Sequence, residues 1–403
     1  MPKKYIITGL DIGTGSIKIL VANKESEGEK FEVISQMREN SSGIRRGVVV
    51  NVEEVSNILA SFLSQIKEET GVKINSVYVN VDGSHLFSLP SRGTIAVSRA
   101  DQKISEEDIQ RVLQAAQTFS LPSNKEIFDA FPKEFIIDGE RGIKEALGLQ
   151  GVRLEAEVLV LGGFSPYLKN LTQAILDSEL QILDMVPSPI AAARAVLTEK
   201  QKELGVAVLD IGAGTSGLAV FEEGDLIHLA VLPIGSVNIT NDIAIGLKVD
   251  TEVAERIKIE YGSCFFKGDK REKIKIGEEE PLVFSRRALT EIIEARVSEI
   301  FGEINKELKK ISRAGLLPAG LVLTGGGSLL PQMVELAKKE FKLPCKIGKP
   351  KGFLELDEDP SLATVCGLVL GGADLEEKRG ESTTFFGKGI GNKIKRIFRI
   401  FIP

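Results

Sequence analysis

Cysteine and histidine are scarce in this sequence, and their scarcity excludes two kinds of site. The 403 residues include three cysteines and two histidines. The cysteines (Cys264, Cys345 and Cys366) are widely spaced, odd in number and not accompanied by histidine clusters. Neither a disulfide framework nor a zinc site is therefore indicated, and we expect a protein of a reducing compartment.

The chain also lacks the pattern of a targeting segment and an excess of basic residues. The apolar run after Lys3 and Lys4 is interrupted by Asp11 and has no small-residue cleavage site, so it does not fit a signal peptide. The uncharged run at 314–334 is long enough to cross a membrane, but its prolines and glycines indicate a strand, a turn and the start of a helix. A net charge of −6 argues against a nucleic-acid-binding protein. These features predict a cytoplasmic protein with no nucleic-acid partner.

The composition is that of a folded chain with more than one domain. Hydrophobic residues make up 43% of the sequence and charged residues 27%, as in folded soluble proteins. A chain of 403 residues exceeds the length at which a single core keeps growing. We therefore expect at least two domains.

One short motif occurs twice. Residues 10–21 and 209–220 are identical at six of twelve positions, and the copies lie 199 residues apart. In each copy an apolar strand leads to a tip with an Asp, two glycines and a Ser or Thr, and a second apolar strand follows. We interpret the repeat as an internal duplication that places one β-hairpin in each half of the chain.

The residues at the two tips have the chemistry of a phosphate site. Glycines let the backbone approach a ligand closely, so successive N–H groups can hold an anion. Asp11 and Asp210 would repel a phosphate, so we assign them to Mg²⁺, through its bound water. Two facing hairpins would hold one polyphosphate and its Mg²⁺ from both sides. The alternative is two ordinary tight hairpins.

The predicted phosphate-binding set takes residues from both tips. Lys18 is expected either to pair with a phosphate as a point charge or to be a solvated strand end. The set is Asp11, Gly13, Thr14, Gly15, Ser16, Lys18, Asp210, Gly212, Gly214 and Thr215.

A third glycine-rich turn follows an apolar strand in the second half. We expect it to lead directly into a helix that runs to about Phe341. Glycines between a strand and a helix leave room for a flat ring or a phosphate against the backbone. The turn consists of Gly325, Gly326, Gly327 and Ser328.

The remaining pattern divides the chain into two halves with an insertion. Helical spacing is clear at 52–70 and 286–311, and helices rich in small residues at 187–195 and 359–372 are expected to pack closely on neighbours. The insertion has its own helix, with Ser105 as the N-cap. A charged loop is expected at 267–280. The predicted boundaries are 1–81 with 164–196 for the first lobe, 82–163 for the α+β insertion, 197–372 for the second lobe with 238–312 as its outer part, 373–389 for a polar linker and 390–403 for a terminal helix.

Together these motifs resemble those of the actin, hexokinase and Hsp70 ATPase superfamily. Residues 11–18 are similar to its first phosphate motif, 210–216 to the second and 325–328 to the adenosine motif. Glu255 and Lys258 match a segment of bacterial actins that approaches ribose and adenine. The resemblance implies an α/β fold of two duplicated ribonuclease-H-like (actin-like) domains around a nucleotide cleft, with ATP and Mg²⁺ as the ligands.

Within the superfamily the chain is most similar to the FtsA family of bacterial cell-division actins. Residues 42–49, 142–144 and 148–153 are similar to stretches of that family, and the insertion lies where the family carries its distinctive subdomain. The resemblance implies a protein that binds ATP, forms filaments with itself and recruits the division tubulin FtsZ. It also implies a peripheral position on the cytoplasmic face of the cell membrane.

The family resemblance also suggests a partner site and a limit on hydrolysis. The C-terminal tail of FtsZ is expected against the long helix of the second half, where the candidate cations are Arg286, Arg287 and Arg296. The alternative is an ordinary solvated helix face. Ser188 stands where chaperone relatives have a Glu, so the carboxylate that would orient water is missing. Slow or absent ATP hydrolysis is expected.

The last residues combine apolar and basic side chains. Residues 388–403 contain five basic residues and no acidic one. On a helix most of the apolar residues fall on one side and the basic residues toward the other, which is typical of a helix in an anionic membrane interface. The alternative is a helix docked on the acidic body of the protein. The predicted membrane-contacting residues are Lys393, Ile394, Arg396, Ile397, Phe398, Arg399 and Phe401.

Two other functions use the same fold. A small-molecule kinase such as a sugar kinase needs a catalytic base and polar sugar-binding residues in the cleft, and no such set stands out in the sequence. An actin-like scaffold of cell shape or of type IV pili is the other alternative. The shape-determining actins share the segment with Glu255 and Lys258 but lack the insertion at 82–163.

Overall fold

The protein is described by a computed structural model, which covers residues 5–24, 30–268, 270–274 and 282–381. The predicted terminal helix at 390–403 and the end of the predicted linker, 382–389, lie outside these residues. Within the described ranges, no helix has both the length and the apolar character needed to cross a membrane.

The first part of the chain is a β-hairpin followed by a long amphipathic helix. The helix begins where the side chain of Asn51 accepts a hydrogen bond from the Glu54 N–H and ends at Gly71, whose φ is 72°. Its buried side chains recur every three or four residues, as the sequence predicted. The elements are β1 (Tyr5–Ile12), β2 (Ser16–Lys24), β3 (Phe31–Asn40), β4 (Ile44–Arg45), β5 (Val48–Val49), α1 (Val52–Thr70) and β6 (Ser76–Val81).

The insertion forms a four-stranded antiparallel sheet with one helix on its face. The predicted N-cap is confirmed: Ser105 and Asp108 form a reciprocal capping box. Strand order is β7-β10-β8-β9, and the helix covers a core that includes Val112, Leu154 and Val160. The elements are β7 (Phe87–Ala96), α2 (Glu106–Gln117), β8 (Lys125–Ile137), β9 (Glu140–Ile143) and β10 (Arg153–Phe164).

The chain then completes the first sheet and builds the second. The elements are α3 (Ser165–Leu176), β11 (Gln181–Pro187), α4 (Ser188–Val196), α5 (Glu199–Leu204), β12 (Val206–Ile211), β13 (Ser216–Glu222), β14 (Asp225–Leu232), α6 (Ser236–Leu247), α7 (Thr251–Tyr261), β15 (Arg271–Ile274), β16 (Leu282–Ser285), α8 (Arg286–Lys310), β17 (Leu321–Thr324), α9 (Met333–Phe341), β18 (Cys345–Ile347), β19 (Phe353–Leu354) and α10 (Ala363–Glu381).

The two large sheets follow one plan, which agrees with the duplication seen in the sequence. In the first sheet the strands run β3-β2-β1-β6-β11, with β19 added beside β3. In the second they run β14-β13-β12-β17-β18. In both, the repeated motif forms the central antiparallel hairpin, and the first strand of that hairpin pairs in parallel with the next strand of the sheet.

Two helices rich in small residues cross between the lobes, as predicted. A Cβ built on Gly367 of α10 would lie 1.7 Å from the Ala191 carbonyl oxygen of α4, so only glycine permits this crossing. The core around the crossing joins Leu20 of the first sheet to Val208 of the second. The contact fixes where the two hairpins stand relative to each other.

Three expectations about local structure were wrong. Helix α10 continues through 373–381, which was assigned to the linker, because Ala373 and Leu375 still pack on the core despite their polar neighbours. The supposed loop at 267–280 contains β15, which pairs with β16. The glycine turn ends in a 3-10 helix (Gly326–Leu329) rather than in α9, because Pro331 favours extended backbone at the residue before it.

Candidate functional site

The two hairpin tips are closed in the same way. In the first, the Gly13 N–H donates to the Ser16 carbonyl oxygen at 3.2 Å. In the second, the Gly212 N–H donates to the Thr215 carbonyl oxygen at 2.9 Å. The tight turn also limits the space at the first glycine of each motif: a Cβ on Gly13 would lie 3.0 Å from the Ser16 carbonyl oxygen, and a Cβ on Gly212 would lie 3.3 Å from the Thr215 carbonyl oxygen.

The tips also face and contact each other. A Cβ on Gly15 would lie 2.7 Å from the Cβ of Ala213, and a Cβ on Gly214 would lie 2.8 Å from the side chain of Thr14. Real side-chain atoms do not approach this closely without a shift. The second glycine of each motif is therefore required by the approach of the opposite hairpin.

A cavity of about 1050 Å³ lies at this junction, lined by both tips, the third glycine turn and helices α6 and α7. Most of the predicted site residues line it: Asp11, Gly13, Thr14, Gly15, Ser16, Lys18, Asp210, Gly212, Thr215, Glu255, Lys258, Gly325, Gly326 and Gly327.

Two predicted binding residues are absent from the cavity wall. Gly214 lies at the contact with Thr14, where the two tips meet. Ser328 is 2% exposed and donates its Oγ hydrogen to the Gly325 carbonyl oxygen at 2.7 Å, so it closes the glycine turn. The 3-10 turn directs the Ser328 side chain back onto its own backbone, and its assignment to nucleotide binding stays a prediction.

Three carboxylates converge on the floor of the cavity. Asp11 and Asp210 come from the repeated motif, and Asp82 follows β6. The pKa of Asp210 is raised to about 7, mainly by burial and in addition by repulsion from Asp82 and Asp11. Burial also raises the pKa of Asp82 to about 6, although hydrogen bonds from Thr215 and Gly83 oppose the shift. A cation placed here would relieve this repulsion.

The carboxylates are positioned for a hydrated metal. Within the described residues, no three His, Cys, Asp or Glu side chains are close enough to form a direct metal site. Mg²⁺ characteristically keeps several waters and uses one or two protein carboxylates together with phosphate. Asp11, Asp82 and Asp210 therefore fit Mg²⁺ that is held through water, as predicted for the first and last of them.

Lys18 is a buried cation. It is 8% exposed, and its Nζ lies 2.8 Å from Oδ2 of Asp11 on the paired strand. The alternative of a solvated strand end was therefore wrong. The ion pair holds the ammonium on the cavity wall, from which it can approach an anion.

The second lobe supplies a polar wall from α7. Lys258 is 6% exposed, and its Nζ contacts Glu255 Oε2 at 2.6 Å and Thr240 Oγ1 at 2.8 Å. The hydroxyl of Thr240 also donates to Glu255. This network fixes the direction of both side chains before any ligand enters.

The third glycine turn packs against the end of β12. Gly325 has a φ of 80°, and a Cβ there would lie 2.2 Å from Oδ1 of Asp210. A Cβ on Gly327 would lie 2.5 Å from Ile211. The missing side chains therefore let the backbone of the turn lie directly against β12.

The first lobe closes the cavity with Asn80 and Ser188. The Asn80 side chain accepts a hydrogen bond from the Ile12 N–H at 2.7 Å and donates to Ser188 Oγ at 3.0 Å. Ser188, at the start of α4, thus places a hydroxyl on the cavity wall. Asn80 and Asp82 were missed by the sequence analysis, although a polar residue at the end of an apolar strand is a usable signal.

The three candidate partner-binding arginines do not form one patch. Arg287 and Arg296 are nine residues apart on α8, so they lie on opposite sides of the helix. Arg296 makes a two-pronged ion pair with Asp242 of α6, with Nη2 2.9 Å from Oδ1. Arg287 pairs with Glu291 at 3.0 Å. Arg286 lies 4.8 Å from the ring centre of Phe266.

Family models identify both the core and the insertion. A model described as "Cell division protein FtsA" matches residues 207–367, and one described as "SHS2 domain inserted in FTSA" matches residues 83–161. The chain is 36% identical over 374 residues to the cell division protein FtsA of Pseudomonas aeruginosa, a match that covers 91% of this chain and 89% of that protein. The chain belongs to the FtsA family of cell division proteins. The FtsA of Bacillus subtilis is 33% identical over 373 residues, with 92% and 84% covered.

Solved structures show that this FtsA-family chain has the actin-like fold. A PilM-PilN type IV pilus biogenesis complex matches with a TM-score of 0.64 and 18% identity over 91% of this chain and 98% of that one. MreB5 of Spiroplasma citri bound to ADP matches with a TM-score of 0.58 and 14% identity over 94% and 99%. At these identities the likeness concerns the fold. The predicted fold class is confirmed, and the insertion is the SHS2 domain of the family.

Proposed function

We propose that the cavity between the lobes binds ATP together with Mg²⁺. The observation that carries the proposal is the meeting of two identically closed glycine tips above three converging carboxylates. A cavity of about 1050 Å³ has ample room for a nucleotide. MreB5, which shares the fold, has been solved with ADP and with AMPPNP.

Different residues of the cavity would bind different parts of the nucleotide. Backbone N–H groups of the two tips hold the phosphates, and Lys18 adds a positive charge. The bound Mg²⁺ would neutralise phosphate charge, with Asp11, Asp82 and Asp210 orienting its water. Gly325 to Gly327 form the flat wall against adenine, and Glu255 with Lys258 bind the ribose side.

The same cavity predicts slow hydrolysis. Ser188 faces the cavity with a hydroxyl that already accepts a hydrogen bond from Asn80. A neutral hydroxyl is a much weaker base than a carboxylate, so it does little to activate water. We propose that bound ATP stabilises an assembled state of the protein and is not turned over rapidly.

We further propose that the chain forms filaments and tethers FtsZ to the cytoplasmic face of the cell membrane. Membership of the FtsA family supports the role in division. The basic, amphipathic pattern of residues 390–403 supports a peripheral membrane anchor that binds anionic lipid. FtsZ is the partner that would link this anchor to the division machinery.

Recruitment to vesicles tests the tether. Vesicles with anionic lipid should co-sediment FtsZ when the full chain and ATP are present. A chain truncated at Gly389 should bind ATP equally well but leave FtsZ in the supernatant. Equal sedimentation of FtsZ with both chains would remove the membrane anchor from the proposal.

The FtsZ tail is assigned to the outer surface of the second lobe around α8. Arg286 and Arg287 begin this helix, and Arg296 stands further along it. Because Arg296 is held by Asp242, Arg296→Glu should also loosen the packing of α8 on α6. Arg287→Glu is therefore the cleaner test, and unchanged affinity for an FtsZ tail peptide would exclude that end of the helix.

A further inference from the structure

Three charged residues lie side by side across the first sheet. Asp11 of β1 is directly opposite Lys18 of β2, and Lys18 is directly opposite Arg38 of β3. Directly opposite residues of antiparallel strands project from the same face of the sheet. All three residues line the cavity between the lobes. Arg38 is thus a second cation on the wall that carries Lys18.

Asp11 and Lys18 pair with each other, and Arg38 lies outside this ion pair. Lys18 and Asp11 form a buried ion pair at 2.8 Å. Within the described part of the chain, no carboxylate lies within ion-pair distance of the Arg38 side chain. Arg38 is exposed because β19 pairs only with the start of β3, at Phe31 and Glu32, and leaves the rest of β3 as a sheet edge.

The position of Arg38 indicates which end of a bound nucleotide it would contact. The wall assigned to adenine and ribose belongs to the second lobe, in α7 and the glycine turn. Arg38 belongs to the first lobe and lies one strand further from β1 than Lys18 does. A polyphosphate that extends from the second lobe across the tips would bring its last phosphate toward this wall. A guanidinium has donors in a fork that matches phosphate oxygens.

We propose that Arg38 binds the terminal phosphate of the nucleotide and so makes this chain distinguish a triphosphate from a diphosphate. The inference rests on the proposed binding of ATP in the cavity. It adds a phosphate contact that lies outside the repeated motif and assigns to β3 a role in sensing the nucleotide. A hydrogen bond to a charged group is commonly the strongest kind in a site, so loss of this contact should be measurable.

The test compares two nucleotides in two proteins. Dissociation constants of ATP and ADP, each with Mg²⁺, are measured by titration calorimetry for the full chain and for Arg38→Gln. The substitution should weaken the binding of ATP by about tenfold and the binding of ADP by less than about threefold. Arg38→Lys should recover part of the loss for ATP, because it restores charge without the fork.

A matched control and the wild-type values distinguish a failure of the Arg38 inference from a failure of the proposed ATP binding. Arg45→Gln removes an exposed arginine from β4, outside the cavity lining, and should change neither constant. Equal weakening of ATP and ADP by Arg38→Gln, or no weakening of either, would overturn the inference while ATP binding stands. Failure of the wild-type chain to bind either nucleotide would instead refute the proposed function.

Discussion

At the residue scale, the site is dominated by carboxylates that oppose one another. Asp82 and Asp210 have raised pKa values, and repulsion between acids contributes to both. Such groups cost stability when they are ionised, and they persist where a ligand relieves the cost. The repulsion supports the proposal that the site binds a cation together with the phosphates.

This repulsion predicts how stability depends on pH. The folded pKa values of about 6 and about 7 lie above the ordinary value of 3.8. At pH values between 3.8 and these folded pKa values, the two carboxyl groups therefore hold more protons in the folded state than in the unfolded state. These two carboxylates should therefore make the free energy of unfolding fall as the pH rises from about 4 to about 7, while His85 and His228, whose pKa values burial lowers, contribute in the opposite direction. Asp210→Asn should flatten this fall, as measured by denaturant unfolding without Mg²⁺ or nucleotide.

The control for this experiment is an exposed carboxylate outside the cavity. Asp101 lies on the insertion, where Arg99 lowers its pKa. Asp101→Asn should leave the fall between about pH 4 and about pH 7 in place. If Asp210→Asn showed the same fall as the wild type, Asp210 would not be a strained carboxylate.

At the element scale, the crossing of α4 and α10 depends on a single missing side chain. Gly367 lets the backbone of α10 approach the Ala191 carbonyl. Gly302, in the middle of α8, has no atom within 4 Å of a built Cβ. The two glycines allow the same substitution to be made with and without a steric clash.

Gly367→Ala and Gly302→Ala should change stability in opposite directions. Gly302→Ala should stabilise the protein by about 0.5–1 kcal/mol, because alanine is the better helix former. Gly367→Ala should destabilise it by about 1–3 kcal/mol or more, because the added methyl has no space. Unfolding in denaturant measures both. A neutral Gly367→Ala would mean that the helices separate easily.

The elements predicted from sequence were those with strong local signals. The hairpins, α1, the capping box at Ser105 and the close-packed helices all follow from spacing and turn chemistry. The role of Asp82 did not, because its importance arises from strands that meet only in the folded sheet. The length of α10 was missed because its last turns are polar in composition and pack through a few apolar residues.

The terminal segment gives a prediction of its own. If residues 390–403 form an amphipathic helix in a membrane interface, Phe398→Glu should reduce binding to anionic vesicles strongly, since burial of such a side chain is worth about 1.5–3 kcal/mol. Ile400→Glu also replaces an apolar side chain with a carboxylate, but away from the apolar side, and should reduce binding less. Equal losses in vesicle sedimentation would contradict a helix with one apolar side.

At the scale of the whole molecule, the insertion contacts both lobes. It continues from the first lobe, and Ser88 Oγ donates to the Leu229 carbonyl oxygen of β14 at 3.0 Å. Lys144 of the insertion pairs with Asp225 at the start of β14. The two lobes are therefore held together by the crossing of α4 and α10, by the meeting hairpins and by these contacts of the insertion.

Calorimetric titration of ATP with Mg²⁺ present tests the central claim most directly. The wild-type chain should bind ATP at a single site, and Asp210→Ala should weaken binding by at least about tenfold without lowering the unfolding temperature, because Asp210 lines the cavity and its ionised carboxylate is unfavourably buried. Equal affinity of the two proteins for ATP would contradict the account of a cavity in which two hairpins hold a nucleotide and its metal.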